Sequence, residues 1–262
     1  HARTLVAQKI EPHTTRFIIV RVDSLETALI NSDISEILLP GLDAIMVPKV
    51  QKPEDVQKIH LLLTEQETIK GMESNSVGVI YLIESALGVE NIFQIASATR
   101  SITRQQRFAF GAADFTLDMG IQMTKKGEEL SYPRARIAVG CRAAGIHNPL
   151  DTPYMINIKD IDDLTADSLQ SRNLGFGGRL CIHPIQVDVC NRIYTPDEKM
   201  VNFALRAIKA YEAAIAVGNG AIQIDGRMVD YPVVVECRRI LSIAARNKGL
   251  TTNKEPKIAG RK

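Results

Sequence analysis

VGVIYLIE, residues 77–84, and FAFGAAD, residues 108–114, are apolar runs that each stop at a carboxylate, Glu84 and Asp114, thirty residues apart. Between them, VENIFQIASA (89–98) has a helix-like pattern. An apolar run of this length without polar alternation suits a strand buried on both faces, as in a parallel sheet covered by helices. The segment therefore reads as a β-α-β unit. In parallel α/β architectures the chemistry sits at the carboxyl ends of the strands, so a Glu and an Asp closing successive strands can face one pocket. Such a pair points to a hard divalent cation such as Mg²⁺, completed by water and substrate oxygens. The competing role for each carboxylate is a helix cap or a surface ion pair. Asp118 rivals Asp114, but its position reads as a helix surface, whereas Asp114 reads as the residue that ends the strand.

Working outward, the same alternation continues. Residues 2–10 read as the end of a helix and Pro12 to Arg16 as a turn. FIIVRV (17–22) is a strand with Arg21 at its carboxyl end, followed by a helical stretch over 24–39 and the Pro40-Gly41 break. DAIMVPK (43–49) is a strand ending at Lys49, and a helix follows with Pro53 in its first turn and a stripe of Val56, Ile59, Leu62 and Leu63. ETIKGMESNS (67–76) reads as a polar surface loop, and 116–133 as a long charged connection. A helix over 134–146, a weaker strand PYMIN (153–157), a helix stopped by Gly175 and a strand end GRLCIHP (178–184) bearing His183 complete the series.

This grammar predicts an α/β TIM (β/α)8 barrel. Six strand ends are found (Arg21, Lys49, Glu84, Asp114, about Asn157 and His183), and a closed barrel of this type needs eight. The expectation is that two strands precede His1, or that the sheet is open. Beyond residue 195 the pattern changes to a C-terminal helical extension. An amphipathic helix with Val201, Ala204, Leu205 and Ile208 on one face leads to a hairpin turned at Asp225-Gly226 and a last helix. The expected organisation is a barrel over 1–195, a helix-hairpin-helix extension over 196–250 that reaches a neighbouring subunit, and a mobile tail over 251–262.

Composition bounds the function classes. Across 262 residues, 32 Lys and Arg against 30 Asp and Glu give a net charge of +2, no general drive toward nucleic acid or anionic membrane. The four cysteines, at 141, 181, 190 and 237, form no CxxC pair and suit a reduced, cytoplasmic setting. No run approaches the roughly 20 apolar residues of a membrane span, and no secretory leader is seen. P-loop, dinucleotide and zinc-ligand patterns are absent. Arg21 reads as an anion clamp or a rim ion pair. Lys49 is a Schiff-base candidate or a turn residue, and His183 a base or a satisfied strand-end histidine. Asp230, in MVDYP, reads by local rules as a helix cap.

Taken in order, RVDSLET (21–27), AIMVPKV (44–50), YLIESALGV (81–89), FGAADFTLDMG (110–120), GRLCIHPIQV (178–187) and DGRMVDYP (225–232) resemble the HpcH/HpaI aldolase and citrate lyase beta-subunit family, in its CitE-like acyl-CoA lyase branch. The likeness runs from about residue 17 to 245. It implies a Mg²⁺-dependent barrel, trimeric or larger (a homotrimer or hexamer), that cleaves a malyl-, citramalyl- or citryl-CoA thioester into acetyl-CoA and a 2-keto acid. By the resemblance, Glu84 and Asp114 match the metal carboxylates and Arg21 the arginine that binds the keto acid carboxylate. Asp230 matches a catalytic aspartate presented to an adjacent subunit. Asp23 departs from the family's usual Asn, and the opening strands of the family pattern are not found. The alternatives are a 4-hydroxy-2-oxo acid aldolase on free acids, or a non-catalytic or carrier-protein-dependent subunit of a citrate lyase complex.

Overall fold

A computed structural model describes residues 2–10 and 16–247. Along it run α1 (Ala2–Ala7), β1 (Ile19–Arg21), α2 (Leu29–Ile37), β2 (Ala44–Val47), α3 (Pro53–Ile69), β3 (Gly78–Ile83), α4 (Ala86–Glu90), α5 (Ile92–Ala98), β4 (Gln106–Phe110) and α6 (Ala112–Met119). There follow α7 (Ser131–Ala143), β5 (Leu150–Asp151), α8 (Ile161–Asn173), β6 (Gly178–Arg179), α9 (Ile185–Tyr194), α10 (Glu198–Ala216), β7 (Ile222–Ile224), β8 (Arg227–Val229) and α11 (Tyr231–Asn247). The chain divides into two compact units between Cys190 and Asn191. The expected tail over 251–262 and the turn over residues 12–15 lie outside the described residues.

Strands β1 to β6 form one parallel sheet in sequential order. An open doubly wound sheet reverses its order at a switch point, whereas right-handed crossovers between successive neighbours put every helix on one face. The order is thus that of a TIM-like barrel, in six strands; among the described residues no strand pairs with the outer edge of β1 or β6. Alternate side chains divide between the faces. Ile80, Leu82 and Ala109 cluster with Met46, Leu150 and Leu180. Ile45, Val47, Tyr81, Ile83, Phe108 and Phe110 are buried on the other face, where Tyr81 and Phe108 lie 5.2 Å apart and Phe110 meets Phe115 edge-on.

Sequence and structure differ at three strands. The run 108–114 is not all strand: β4 stops at Phe110, the Gly111 N–H donates to the Ile83 carbonyl at 2.9 Å, and the chain turns at once into α6. Asp114 therefore sits in the first turn of that helix rather than on the strand's last residue. The strand expected at 153–157 lies earlier, at Leu150–Asp151, and β6 has only two residues. Four buried or nearly buried charged groups fasten these short strands. Arg134 reaches Asp151 at 3.0 Å and Asp167 at 2.8 Å, while Arg179 pairs with the same two carboxylates and donates to the Ser168 hydroxyl at 2.9 Å. Two cations and two anions sum to zero, which is what permits their burial.

The predicted surface loop at 67–76 also begins differently, because α3 runs on to Ile69 and Glu67 is only 1% exposed. Its carboxylate takes both Arg104 amino groups, at 2.6 and 2.9 Å, and the N–H groups of Asn75 and Val77. Burial alone raises a carboxyl pKa, but Arg104 and these N–H groups hold that of Glu67 below its ordinary value.

In the second unit, Ala204, Ala207 and Tyr211 of α10 pack with Val229, Val234 and Cys237. Leu205, read from the sequence as part of the apolar face, is 53% exposed, one position round the helix from the buried stripe. The hairpin turns at Asp225-Gly226, both with positive φ (49° and 76°).

Replacing Glu67 by Ala strands a buried guanidinium and two backbone donors. The expected loss is about 3–5 kcal/mol of unfolding free energy, read from urea denaturation; a loss within error of zero would show that the pair is not a support of the α3 to β4 packing.

Candidate active site

The carboxyl ends of β1 to β4 are brought together by the register of the sheet, and each contributes a charged residue. Glu84 follows β3 directly and is 4% exposed. Its Oε1 accepts the Lys49 backbone N–H at 2.9 Å. Lys49, past the end of β2, has φ of 55°, a left-handed conformation that a lysine adopts only where its surroundings impose it. That backbone turn is what brings its N–H to Glu84.

Gly111 holds the opposite side. A Cβ on it would lie 2.6 Å from Glu84 Oε2 and 2.7 Å from Glu84 Cβ, so no larger residue fits without moving the carboxylate. The next N–H, of Ala112, donates to the Thr152 hydroxyl at 3.0 Å and ties the start of α6 to the segment after β5. Asp114, one turn into α6, is exposed, as are Arg21 and Lys49.

The electrostatics centre on Glu84. Burial first, and then the neighbouring charge of Asp114, push its carboxyl up to about 7, against the opposing effects of the Lys49 N–H and the Arg21 and Lys49 charges. The Arg21 and Lys49 charges offset burial and the Asp114 charge only in part, so the carboxyl stays raised. Two oxygen-donor groups of this kind fit a hard divalent cation that keeps water or substrate oxygens on its other positions. No group of three or more His, Cys, Asp or Glu side chains that could hold a metal occurs among the described residues.

The other candidates are placed as follows. Asp118 accepts the Ala86 N–H at 2.8 Å beside the Ser85 cap of α4. His183 Nδ1 accepts the Ile185 N–H at 3.2 Å and helps start α9. Asp230, in the second unit, accepts the Val233 N–H at 3.3 Å at the start of α11, the capping role that its local sequence suggested. Sequence reasoning missed Gly111 and the Lys49 N–H as supports of Glu84. The signal for Gly111 was present, since a glycine placed directly after an apolar strand marks a close approach.

Residues 2–184 match the family described as HpcH/HpaI aldolase/citrate lyase. The chain is 34% identical to the citrate lyase subunit beta of Leuconostoc mesenteroides subsp. cremoris, over 94% of this chain and 80% of that one. It is 32% identical to the L-malyl-CoA/beta-methylmalyl-CoA lyase of Cereibacter sphaeroides, over 86% and 76%. In fold it is similar to CitE from Mycobacterium tuberculosis, solved with magnesium, acetoacetate and coenzyme A (TM-score 0.71, 24% identity, 93% of this chain and 83% of that one). It is likewise similar to a citrate lyase from Burkholderia xenovorans (TM-score 0.76, 19% identity, 96% and 80%). The family match over residues 2–184 and the identity to these relatives, with a sequential parallel sheet of the expected kind, make the protein a member of the HpcH/HpaI aldolase/citrate lyase family.

Proposed function

We propose that the chain is a Mg²⁺-dependent carbon–carbon lyase that cleaves a 3-hydroxyacyl-CoA of the malyl, citramalyl or citryl type into acetyl-CoA and a 2-keto acid. The observation that carries this reading is the buried Glu84, whose carboxyl is pushed up to about 7 by burial and the charge of Asp114 despite Arg21 and Lys49. Glu84 and Asp114 would hold the Mg²⁺. When bound, it supplies Lewis-acid stabilisation of negative charge on the substrate oxygens.

The remaining work falls to the chain's own groups. Arg21 offers a planar fork to the carboxylate of the keto acid half. The Lys49 backbone N–H and Gly111 keep the Glu84 carboxylate at one position, so that no reorganisation is required at the moment of reaction. As the hydroxyl proton passes to a base in water, the O–H electron pair becomes the carbonyl of the keto acid, the C–C bond breaks and its electrons pass to the thioester enolate, which then takes up a proton to become acetyl-CoA. In this reading Asp230, from a neighbouring subunit, moves that proton at the acetyl carbon. A cytoplasmic homo-oligomer, a trimer or hexamer, belongs to the same proposal.

Acetyl-CoA release from malyl-, citramalyl- and citryl-CoA, followed chromatographically with Mg²⁺ and with EDTA, tests the reaction. Metal-dependent product from one thioester is expected, with Glu84→Gln more than about 100-fold slower; wild-type turnover in that variant, or none from any thioester, would count against the reading.

Metal binding should also depend on pH. Below about 7 the Glu84 carboxyl holds its proton and competes with the cation, so Mg²⁺ affinity by calorimetry should climb as pH rises toward 7 and level off above it. The metal-free fold should show the opposite trend, because the folded state holds the Glu84 proton more tightly than the unfolded chain does. Its stability contribution from this group should fall as pH rises from the ordinary carboxylate range to about 7. Glu84→Gln should remove both trends.

Gly111→Ala should displace Glu84 and weaken Mg²⁺ binding while costing about 1–3 kcal/mol of stability. Unaltered binding in a folded variant would mean that Glu84 tolerates the shift.

A further inference from the structure

We propose that Cys181 and Cys190 form a reversible dithiol–disulfide pair, a modification site for hydrogen peroxide that is independent of the lyase reading. The four cysteines are free thiols. Cys141 and Cys237 are buried, on α7 and α11 respectively. Cys181 and Cys190 differ from them in facing one another, with the Cys181 thiol donating to Cys190 Sγ at 3.6 Å. A disulfide needs about 2.0 Å between the sulfurs, so the pair must close by a movement smaller than a side-chain rotation commonly gives.

The surroundings suit such a closure. Cys181 is exposed and lies in the short turn between β6 and α9, outside both elements. Cys190 is 6% exposed and held in α9, whose regular backbone fixes one end of the bridge. Hydrogen bonding from Cys181, the Arg179 guanidinium and the Ser168 hydroxyl together hold the Cys190 thiol below its ordinary range, while Cys181 is raised by holding the proton that the pair shares. One thiolate is thereby favoured within reach of a second thiol. Neither sulfur has a part in the proposed lyase chemistry.

The step balances with hydrogen peroxide as oxidant. A thiolate of the pair attacks the peroxide O–O bond, which breaks to give a sulfenic acid and hydroxide. That hydroxide takes the proton of the second thiol and leaves as water. The second sulfur then attacks the first, the S–O bond breaks, and the oxygen leaves as another water on protonation. Two electrons pass from the sulfurs to the peroxide and one S–S bond forms.

Arg179 and Arg192 bracket both cysteines, so trypsin releases LCIHPIQVDVCNR (180–192) as one peptide. The whole protein is treated with graded hydrogen peroxide, unfolded in the presence of an alkylating agent, digested and weighed. The expected result is a 180–192 peptide that is lighter by two hydrogens and not alkylated, while Cys141 and Cys237 are alkylated. Dithiothreitol before alkylation should restore two alkylatable thiols, and neither Cys181→Ser nor Cys190→Ser should give the lighter peptide. The proposal is overturned if both thiols are still alkylated at a dose that has oxidised the exposed Met228, or if one sulfur gains oxygens with no cross-link.

Discussion

Glu84 is a carboxylate placed where water scarcely reaches, and the architecture around it follows from that placement. A carboxyl group in such a position gives up its charge unless donors or cations compensate it. Here one backbone N–H does part of the work, and delivering it requires Lys49 to turn into the left-handed region just past β2. The other side of the carboxylate is filled by the main chain at Gly111, where β4 has to end so that α6 can begin. Three adjacent strands are thus tied to one side chain. The sequential parallel order makes this possible, since a reversal of order would separate the ends of β2, β3 and β4.

Much of this was legible in the sequence where apolar burial dictated it. The run before Glu84 could be placed because β3 is covered on both faces, and the α10–β7–β8–α11 grammar because a glycine turn and an amphipathic stripe both leave local signals. β5 and β6 were misplaced or lengthened for the converse reason. They are two-residue strands fastened by the Arg134, Asp151, Asp167 and Arg179 charges, and a charge read alone looks like surface. Glu67 was assigned to a loop on the same grounds, as its partner Arg104 lies 37 residues away.

The site divides along the same line. The position of Glu84 directly after β3 could be read from the apolar run that it closes, whereas Asp114 was read as a strand end and lies in the first turn of α6. The backbone supports could not be read, because neither the φ of Lys49 nor the proximity of Gly111 to a side chain 27 residues earlier is a local property. Asp230 shows the limit of local rules differently, as its capping bond to Val233 satisfies the short-range reading completely and leaves any further role to be argued from the family.

The charged quartet behind β5 and β6 gives the two sides of the sheet different responses to heat. β3 and β4 are held by apolar side chains, for which the driving force per unit area levels off as temperature rises. The quartet was costly to assemble because its charges left water, and that cost declines on warming as ion hydration becomes less favourable. Warming therefore shifts the balance of cohesion from the Tyr81 and Phe108 side of the sheet toward the Asp151 and Arg179 side.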